Sequence, residues 1–199
     1  MRTFSVNMLF LCCVFVVATS VAQTADKSHS AAIGVQAGIW KPISLDDNPS
    51  QPFKPVRGSD YAPGIYLITP DWQGISLRFT FFHWQHLEKN HIDQSIKLRH
   101  LSVDIKQQII SQARISPFMT AGFSGIFAHG REHTAEQDRA DYQRVGYGIN
   151  VGAGIDFILF RHWTAAIEYQ YLYAKFDNIL RETHNYSGPN LSMKVQYCF

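Results

Sequence analysis

Six charged residues could do chemistry in this sequence, because each lies on the polar side of a segment in which polar and apolar residues alternate. Side chains on one face of an extended strand repeat every two residues, so all six are predicted to point into one interior. Buried charges persist only when they are paired and hydrogen-bonded. We therefore predict a structural ion-pair network, with a polar path or gate for small ions as the alternative. The six residues are Arg78, Asp104, Lys106, Asp156, Glu168 and Lys194.

Histidines form a second group, close to the ends of the predicted segments and to the connections between them. A zinc site needs three or four ligands that converge at about 2 Å. The spacing of these histidines matches no established zinc signature, so we interpret them as solvated loop residues. The sequence assigns no catalytic residue, no metal ligand and no cofactor. The histidines are His83, His86, His91, His100, His129, His133 and His184.

Eight segments with a period of two residues position these side chains, and the sixth is the clearest. There, apolar residues from Val145 to Phe157 alternate with a face that holds four glycines, arginine and aspartate among its residues. Alternation over this length is typical of β-strands with one apolar and one polar face. The predicted strands are 31–41, 61–69, 74–84, 99–111, 117–129, 142–159, 163–175 and 191–199.

The connections between these strands alternate in length. Short turns are predicted at 70–73, 111–116 and 160–162, and long polar loops at 42–60, 85–98, 130–141 and 176–188. Bacterial membrane barrels show this asymmetry, with short periplasmic turns and longer external loops. The sequence therefore predicts an all-β fold: an eight-stranded antiparallel up-and-down transmembrane β-barrel with short periplasmic turns and four longer extracellular loops.

The apolar face of this barrel is predicted to meet lipid. Charged residues make up 17% of the chain, against about 25% in typical soluble domains. A soluble barrel would need many Lys and Glu on its solvated face, whereas the polar face here is mostly Gly, Ser, Thr, Gln and Asn. Aromatic residues predicted near the two strand ends would form interfacial girdles. These are Trp72, Phe118, Phe157, Phe160, Trp163, Tyr197 and Phe199 near the turns, and Phe81, Phe127, Tyr147 and Tyr173 towards the loops.

The N-terminus predicts export. Arg2 precedes an apolar run at 8–18, and Ser20-Val21-Ala22 supplies small residues for cleavage after Ala22. We expect a signal peptide at 1–22, a linker at 23–30 and the barrel at 31–199. Removal of the signal leaves Cys198 as the remaining cysteine, which precludes an intrachain disulfide. The formal net charge of +2 gives no argument for a nucleic-acid partner.

The last strand, with its lipid-side residues Val195, Tyr197 and the terminal Phe199, resembles the C-terminal signal of bacterial outer-membrane barrels. With the glycine-rich sixth strand and the alternating pattern, the chain resembles the small barrels typified by the OmpA transmembrane domain and the OmpX/Ail group. The resemblance implies an outer-membrane location, porin-like strand architecture and recognition of the last strand by the barrel-assembly machinery.

The resemblance is specific for the fold and leaves three functions open. The first is a structural or interaction protein that contacts outer-membrane lipids and lipopolysaccharide, and displays loops for adhesion, envelope integrity or binding of a host or surface ligand. The second is a lipid A-modifying enzyme, although His184 and Ser187 lack the spacing of the known outer-membrane deacylases. The third is a narrow ion-conducting pore. The first is the favoured prediction.

Overall fold

The computed structural model describes residues 31–43, 61–87, 95–110, 114–134, 137–180 and 183–199. The predicted signal peptide (1–22) and linker (23–30) lie outside these residues, as do most of the first long loop and part of the second. Within the described ranges, no helix is both long and apolar enough to cross a membrane.

The described residues form nine strands. They are β1 (Ala32–Trp40), β2 (Gly64–Ile68), β3 (Ile75–Leu87), β4 (Ser95–Gln108), β5 (Ile115–Thr134), β6 (Gln137–Phe160), β7 (Trp163–Leu180), β8 (Thr183–Asn185) and β9 (Gly188–Cys198). The three-residue β8 pairs back onto the end of β7 and leads directly into β9. The wall of the barrel therefore has eight strands, the last of which is β9.

Antiparallel pairing joins consecutive wall strands, and one long-range pairing closes the cylinder. The first and last strands of the wall run side by side, with Ala32 opposite Cys198 and Trp40 opposite Asn190. Because closure pairs the backbone groups of every wall strand on both sides, no wall strand is left with an open edge along its middle. The predicted eight-stranded antiparallel barrel is confirmed.

The side chains alternate between the interior and the outer surface of the wall. Along β1, even-numbered residues are buried while Ile33, Val35 and Ala37 are exposed. The outward face of β5 carries apolar side chains, and one of them, Phe123, is 73% accessible. The strict alternation follows from the two-residue period of a strand, and here it turns the apolar face outwards.

The turn between β2 and β3 is built by Gln73 and Gly74, which have φ angles of 55° and 82°. The flanking residues Trp72 and Ile75 exchange two backbone hydrogen bonds, at 2.9 and 3.0 Å. Positive φ at both central residues gives a turn whose twist matches that of the paired strands. The predicted short turn at 70–73 thus ends one residue later, at the glycine.

Several predicted long loops are partly β-structure. The β3–β4 pairing continues to Leu87 and Ser95, and the β5–β6 pairing continues to Thr134 and Gln137. The predicted loops 85–98, 130–141 and 176–188 are therefore wrong over much of their length. Beyond the predicted boundaries, β5 and β6 carry mostly polar residues on both faces, so the period-two signal fades while the backbone pairing continues.

Candidate functional site in the barrel interior

Arg78 of β3 is the centre of a buried ionic network. Its Nη1 and Nη2 donate to the two carboxylate oxygens of Glu168, at 2.6 and 2.9 Å. Its Nε and Nη2 also donate to Oδ2 of Asp104, at 3.3 and 3.1 Å. Lys194 reaches the same glutamate from β9, with 2.6 Å between Nζ and Oε2. The planar guanidinium therefore binds Glu168 in bidentate fashion, a strong and directional arrangement.

Neutral side chains complete the hydrogen bonding of both carboxylates. Thr120 Oγ1 donates to Glu168 at 2.8 Å. Asn150 Nδ2 and Ser102 Oγ donate to Asp104 at 2.8 and 3.2 Å. These additional donors offset the desolvation of charges that lie far from water.

A second ion pair lies closer to the short turns. Lys106 Nζ donates to Asp156 Oδ2 at 2.6 Å, and Gln108 Nε2 contacts the same oxygen at 3.3 Å. The ammonium group also sits 4.1 Å from the centroid of the Phe118 ring, within cation–π range. The sequence placed Phe118 in the outer girdle, which is wrong: it is 1% exposed and faces the interior. Its even position in β5 puts it on the same face as Thr120.

The structure brings all six predicted charged residues into the interior, in two groups. Three are cationic and three are anionic, so the network has no net formal charge. Each makes an ion pair within hydrogen-bond distance with at least one of the others. These paired charges occupy the half of the interior nearest the short turns, which we call the lower half, and their formal charges cancel. The two groups are Arg78, Asp104, Glu168 and Lys194, and Lys106 with Asp156.

The other half of the interior, towards the long loops, is filled by an apolar cluster that the sequence did not predict as a unit. Trp40 and Trp84 lie at its centre with ring centroids 5.1 Å apart, and Trp84 Nε1 donates to the Trp40 carbonyl oxygen at 2.9 Å. We call this group the aromatic cap. Its members are Trp40, Ala62, Phe82, Trp84, Ile96, Leu98, Ile126, Ala128, Leu172, Ala174, Phe176 and Tyr186.

His100 joins the cap and corrects the prediction of a solvated histidine. It is 1% exposed and stacks on Phe82, with ring centroids 4.2 Å apart and an interplanar angle of 19°. Its even register position in β4 places it on the interior face, opposite Phe82 and Ile126. The even-numbered aromatic residues of β3 and β4 were the available sequence signal for the cap.

Glycines make room for large side chains in the lower interior. A Cβ atom on Gly34 would lie 2.4 Å from the Tyr66 ring, and one on Gly154 would lie 2.5 Å from the Phe118 ring. Real Cβ atoms do not approach so closely, so the absence of a side chain at each glycine leaves the space that the aromatic ring occupies. The glycine-rich face of β6 is therefore a packing feature of a narrow, filled barrel.

The predicted assembly-signal residues lie on the outside of β9. Val195 and Phe199 are exposed, and Phe199 is the more accessible of the two. The Tyr197 ring packs edge-on against Trp163 and Phe199, at centroid distances of 5.3 and 5.6 Å. The role of these residues in assembly stays a prediction.

Two observations bear on catalysis and metal binding. Among the described residues, no three His, Cys, Asp or Glu side chains are grouped so as to hold a metal ion. Ser187 is buried, accepts a hydrogen bond from the Ala174 amide at 3.1 Å and contacts the Asn185 side chain. The side chain of His184 lies outside the described set.

A closed eight-stranded antiparallel cylinder with an apolar outer surface and a filled interior defines a class, the small outer-membrane barrels. No protein-family model matches the sequence, and no curated protein matches it significantly. Solved structures do match.

Neisserial surface protein A has a TM-score of 0.64 and 13% identity, over 87% of this chain and 100% of that one. OprG from Pseudomonas aeruginosa has a TM-score of 0.57 and 13% identity, over 86% and 97%. Ail, the attachment invasion locus protein of Yersinia pestis, has a TM-score of 0.54 and 14% identity, over 88% and 100%. The resemblance to barrels of the OmpX/Ail type is thereby confirmed as a likeness of fold.

Proposed function

We propose that this protein is an outer-membrane barrel whose closed body anchors hairpins and loops that contact molecules at the cell surface. The observation that carries the proposal is a barrel that is apolar outside and filled inside. Such a body can hold a position in lipid, and the side chains that occupy its described interior leave it poorly suited to moving a solute. Its specific activity then belongs to the segments beyond the wall.

The outer surface supports the membrane location. Large apolar side chains on all the wall strands are exposed, among them Val35, Phe79, Val103, Phe123 and Ile149. Soluble monomers rarely expose contiguous apolar patches larger than a few hundred Å². An uninterrupted apolar belt around a closed barrel is instead what a lipid bilayer requires. The structurally similar OprG, which is an outer membrane protein by name, supports the outer membrane as the location.

The interior argues against the pore alternative. A path for ions needs polar groups that can release their partners, whereas Arg78, Glu168 and Asp104 are held by multiple short contacts to one another. Above them, the aromatic cap replaces polar lining by buried rings. An ion would have to cross both barriers.

The enzyme alternative has weaker support in the described residues. Ser187 Oγ is engaged with Asn185 and a backbone amide, and it is buried. A nucleophile needs a base within hydrogen-bond reach and access to substrate. Comparison of lipid A mass spectra from cells with and without the protein tests this alternative: an altered acyl pattern would favour an enzyme.

The membrane location can be tested with the purified mature chain. We expect a monomeric folded barrel only in detergent or lipid, recognised by a shift in electrophoretic mobility between unheated and boiled samples. A chain that stays folded and monomeric in plain buffer would refute the proposal.

Surface display can be tested by paired insertions. An epitope inserted at 135–136, between β5 and β6, should be accessible to antibody on intact cells. The same epitope in the short turn at 161–162 should become accessible only after the outer membrane is permeabilised. The reverse pattern would refute the proposed orientation.

The closed interior can be tested by planar-bilayer recording. We expect no stepwise conductance from the wild-type barrel. Reproducible single-channel steps that change when Arg78 and Glu168 are both neutralised would instead favour the pore.

A further inference from the structure

The outward face of β4 changes abruptly from apolar to cationic. Towards the long loops it presents Ile105, Val103 and Leu101, followed by Arg99 and Lys97, and all five side chains are exposed. The first three belong to the lipid-facing belt. The last two therefore lie where that belt ends, at the level of lipid headgroups on the side of the long loops.

The neighbouring strands add two more basic groups and no acid. His83 of β3 is directly opposite Arg99, and His129 of β5 is directly opposite Lys97. Along the described outward faces of β3, β4 and β5 there is no Asp or Glu. We call these four residues the basic patch.

This arrangement is unfavourable in the isolated barrel. Residues two apart on one strand are about 6.6 Å apart and share a face, so Arg99 and Lys97 repel each other. No ion pair with a described residue offsets this repulsion at Arg99 or Lys97.

We propose that the basic patch binds the phosphate groups of a phosphorylated lipid headgroup in the outer leaflet, an inference that depends on the membrane location argued above. A guanidinium fork matches a phosphate geometrically, and a lysine adds a mobile positive charge beside it. Leu101, two residues from Arg99 towards the lipid-facing belt, and Phe127, directly opposite Arg99 on β5, offer an apolar surface for the acyl chains of the same molecule. A ligand that combines a phosphate for the cations with acyl chains for the adjacent apolar surface is a lipid, so the patch favours a lipid over a soluble anion.

A second cation on the opposite side of the barrel supplies a control. The outward face of β7 presents Tyr169, Tyr171 and Tyr173, followed by Lys175. Lys175 thus occupies the same kind of boundary position as Arg99. It differs because Asp177 follows on the same exposed face, so a carboxylate is already present.

The experiment measures binding of diphosphorylated lipid A to the folded barrel in zwitterionic detergent, by native mass spectrometry and by titration. The double variant Arg99→Gln/Lys97→Gln should bind lipid A at least about tenfold more weakly than wild type, because charge-assisted hydrogen bonds to phosphate are lost. Lys175→Gln should bind within about twofold of wild type. Wild-type affinity should fall as ionic strength rises from about 0.1 to about 1 M.

Three outcomes would overturn the inference. Equal affinity of wild type and double variant is one, and an equal loss in Lys175→Gln is another. Displacement of lipid A by equimolar inorganic phosphate would assign the patch to a soluble anion instead. Heat-modifiable mobility separates the two proposals: absence of a folded barrel in detergent refutes the proposed function, whereas a folded barrel that shows none of these differences refutes only the lipid site.

Discussion

The two halves of the interior are filled by different chemistry. Towards the short turns, Arg78, Glu168 and their partners form a lattice of directional contacts at 2.6–3.3 Å. Towards the long loops, Trp40 and Trp84 pack with Phe82 in the aromatic cap. Directional contacts are satisfied only in one register of the wall, whereas apolar packing is set mainly by volume. The lower half is therefore the part that specifies how the strands align, and the upper half is the part that closes the opening.

The largest expected effect comes from removing one charge of the lower half. Glu168→Gln leaves Arg78 and Lys194 in the interior with the anion they share removed. Breaking a buried pair in this way costs about 3–5 kcal/mol. Urea unfolding in lipid vesicles, followed by electrophoretic mobility, should show this loss, whereas Gln170→Met two residues along the same face should unfold close to wild type. A Glu168→Gln barrel as stable as wild type would contradict the distinction between the two halves.

The second ion pair sharpens the comparison through rescue. Lys106→Met alone should destabilise the barrel by about 3 kcal/mol, because Asp156 then keeps a buried charge without its cation. The double variant Lys106→Met/Asp156→Leu should recover to within about 1 kcal/mol of wild type, since an apolar pair of similar volume replaces the ionic one. If the double variant is as unstable as Lys106→Met alone, an apolar pair cannot replace the ion pair, and the prediction is wrong.

A smaller loss of stability is expected where a glycine makes room for an aromatic ring. Gly34→Ala forces the Tyr66 ring away from its position, at a cost of about 1–3 kcal/mol. Gly125→Ala is the matched control, because the nearest atom to its added Cβ is 4.0 Å away, on Phe127. The unfolding free energy of Gly34→Ala should therefore be lower than that of Gly125→Ala. Equal unfolding free energies would show that the interior around Gly34 can accommodate a methyl group without moving the Tyr66 ring.

The smallest effect is expected in the aromatic cap. Trp84→Phe keeps an aromatic ring but removes the donor to the Trp40 carbonyl oxygen, a net loss of about 0.5–1.5 kcal/mol. The same variant should leave planar-bilayer conductance at the wild-type baseline, because the ionic half still closes the barrel. A loss as large as that of Glu168→Gln would mean that the cap, too, depends on directional contacts.

The sequence predicted the lower half of the barrel better than the upper half. Around Arg78, Asp104 and Glu168, polar and apolar residues alternate cleanly, so the face of each residue follows from its number. Which carboxylate meets which cation depends on the register between strands, and the alternation carries no information on that register.

The upper half was missed because the alternation fails there. At Phe81 and Phe82, and at Ile126 and Phe127, both faces are apolar, so the pattern indicates neither face. The sequence pattern predicts loops at Leu98 and Phe176 because the alternation fades before it reaches them. Their burial comes from backbone pairing that continues beyond that point, which only the three-dimensional structure reveals.

Closure of the wall also decides how another polypeptide can attach. A partner that adds a strand needs free backbone donors and acceptors along an edge. The paired wall offers none along its middle, but β6 continues to Gln137 while its pairing with β7 ends at Gly146. Within the described residues, the end of β6 beyond Gly146 therefore presents backbone groups with which another strand could pair, whereas contacts to the middle of the cylinder are made through side chains.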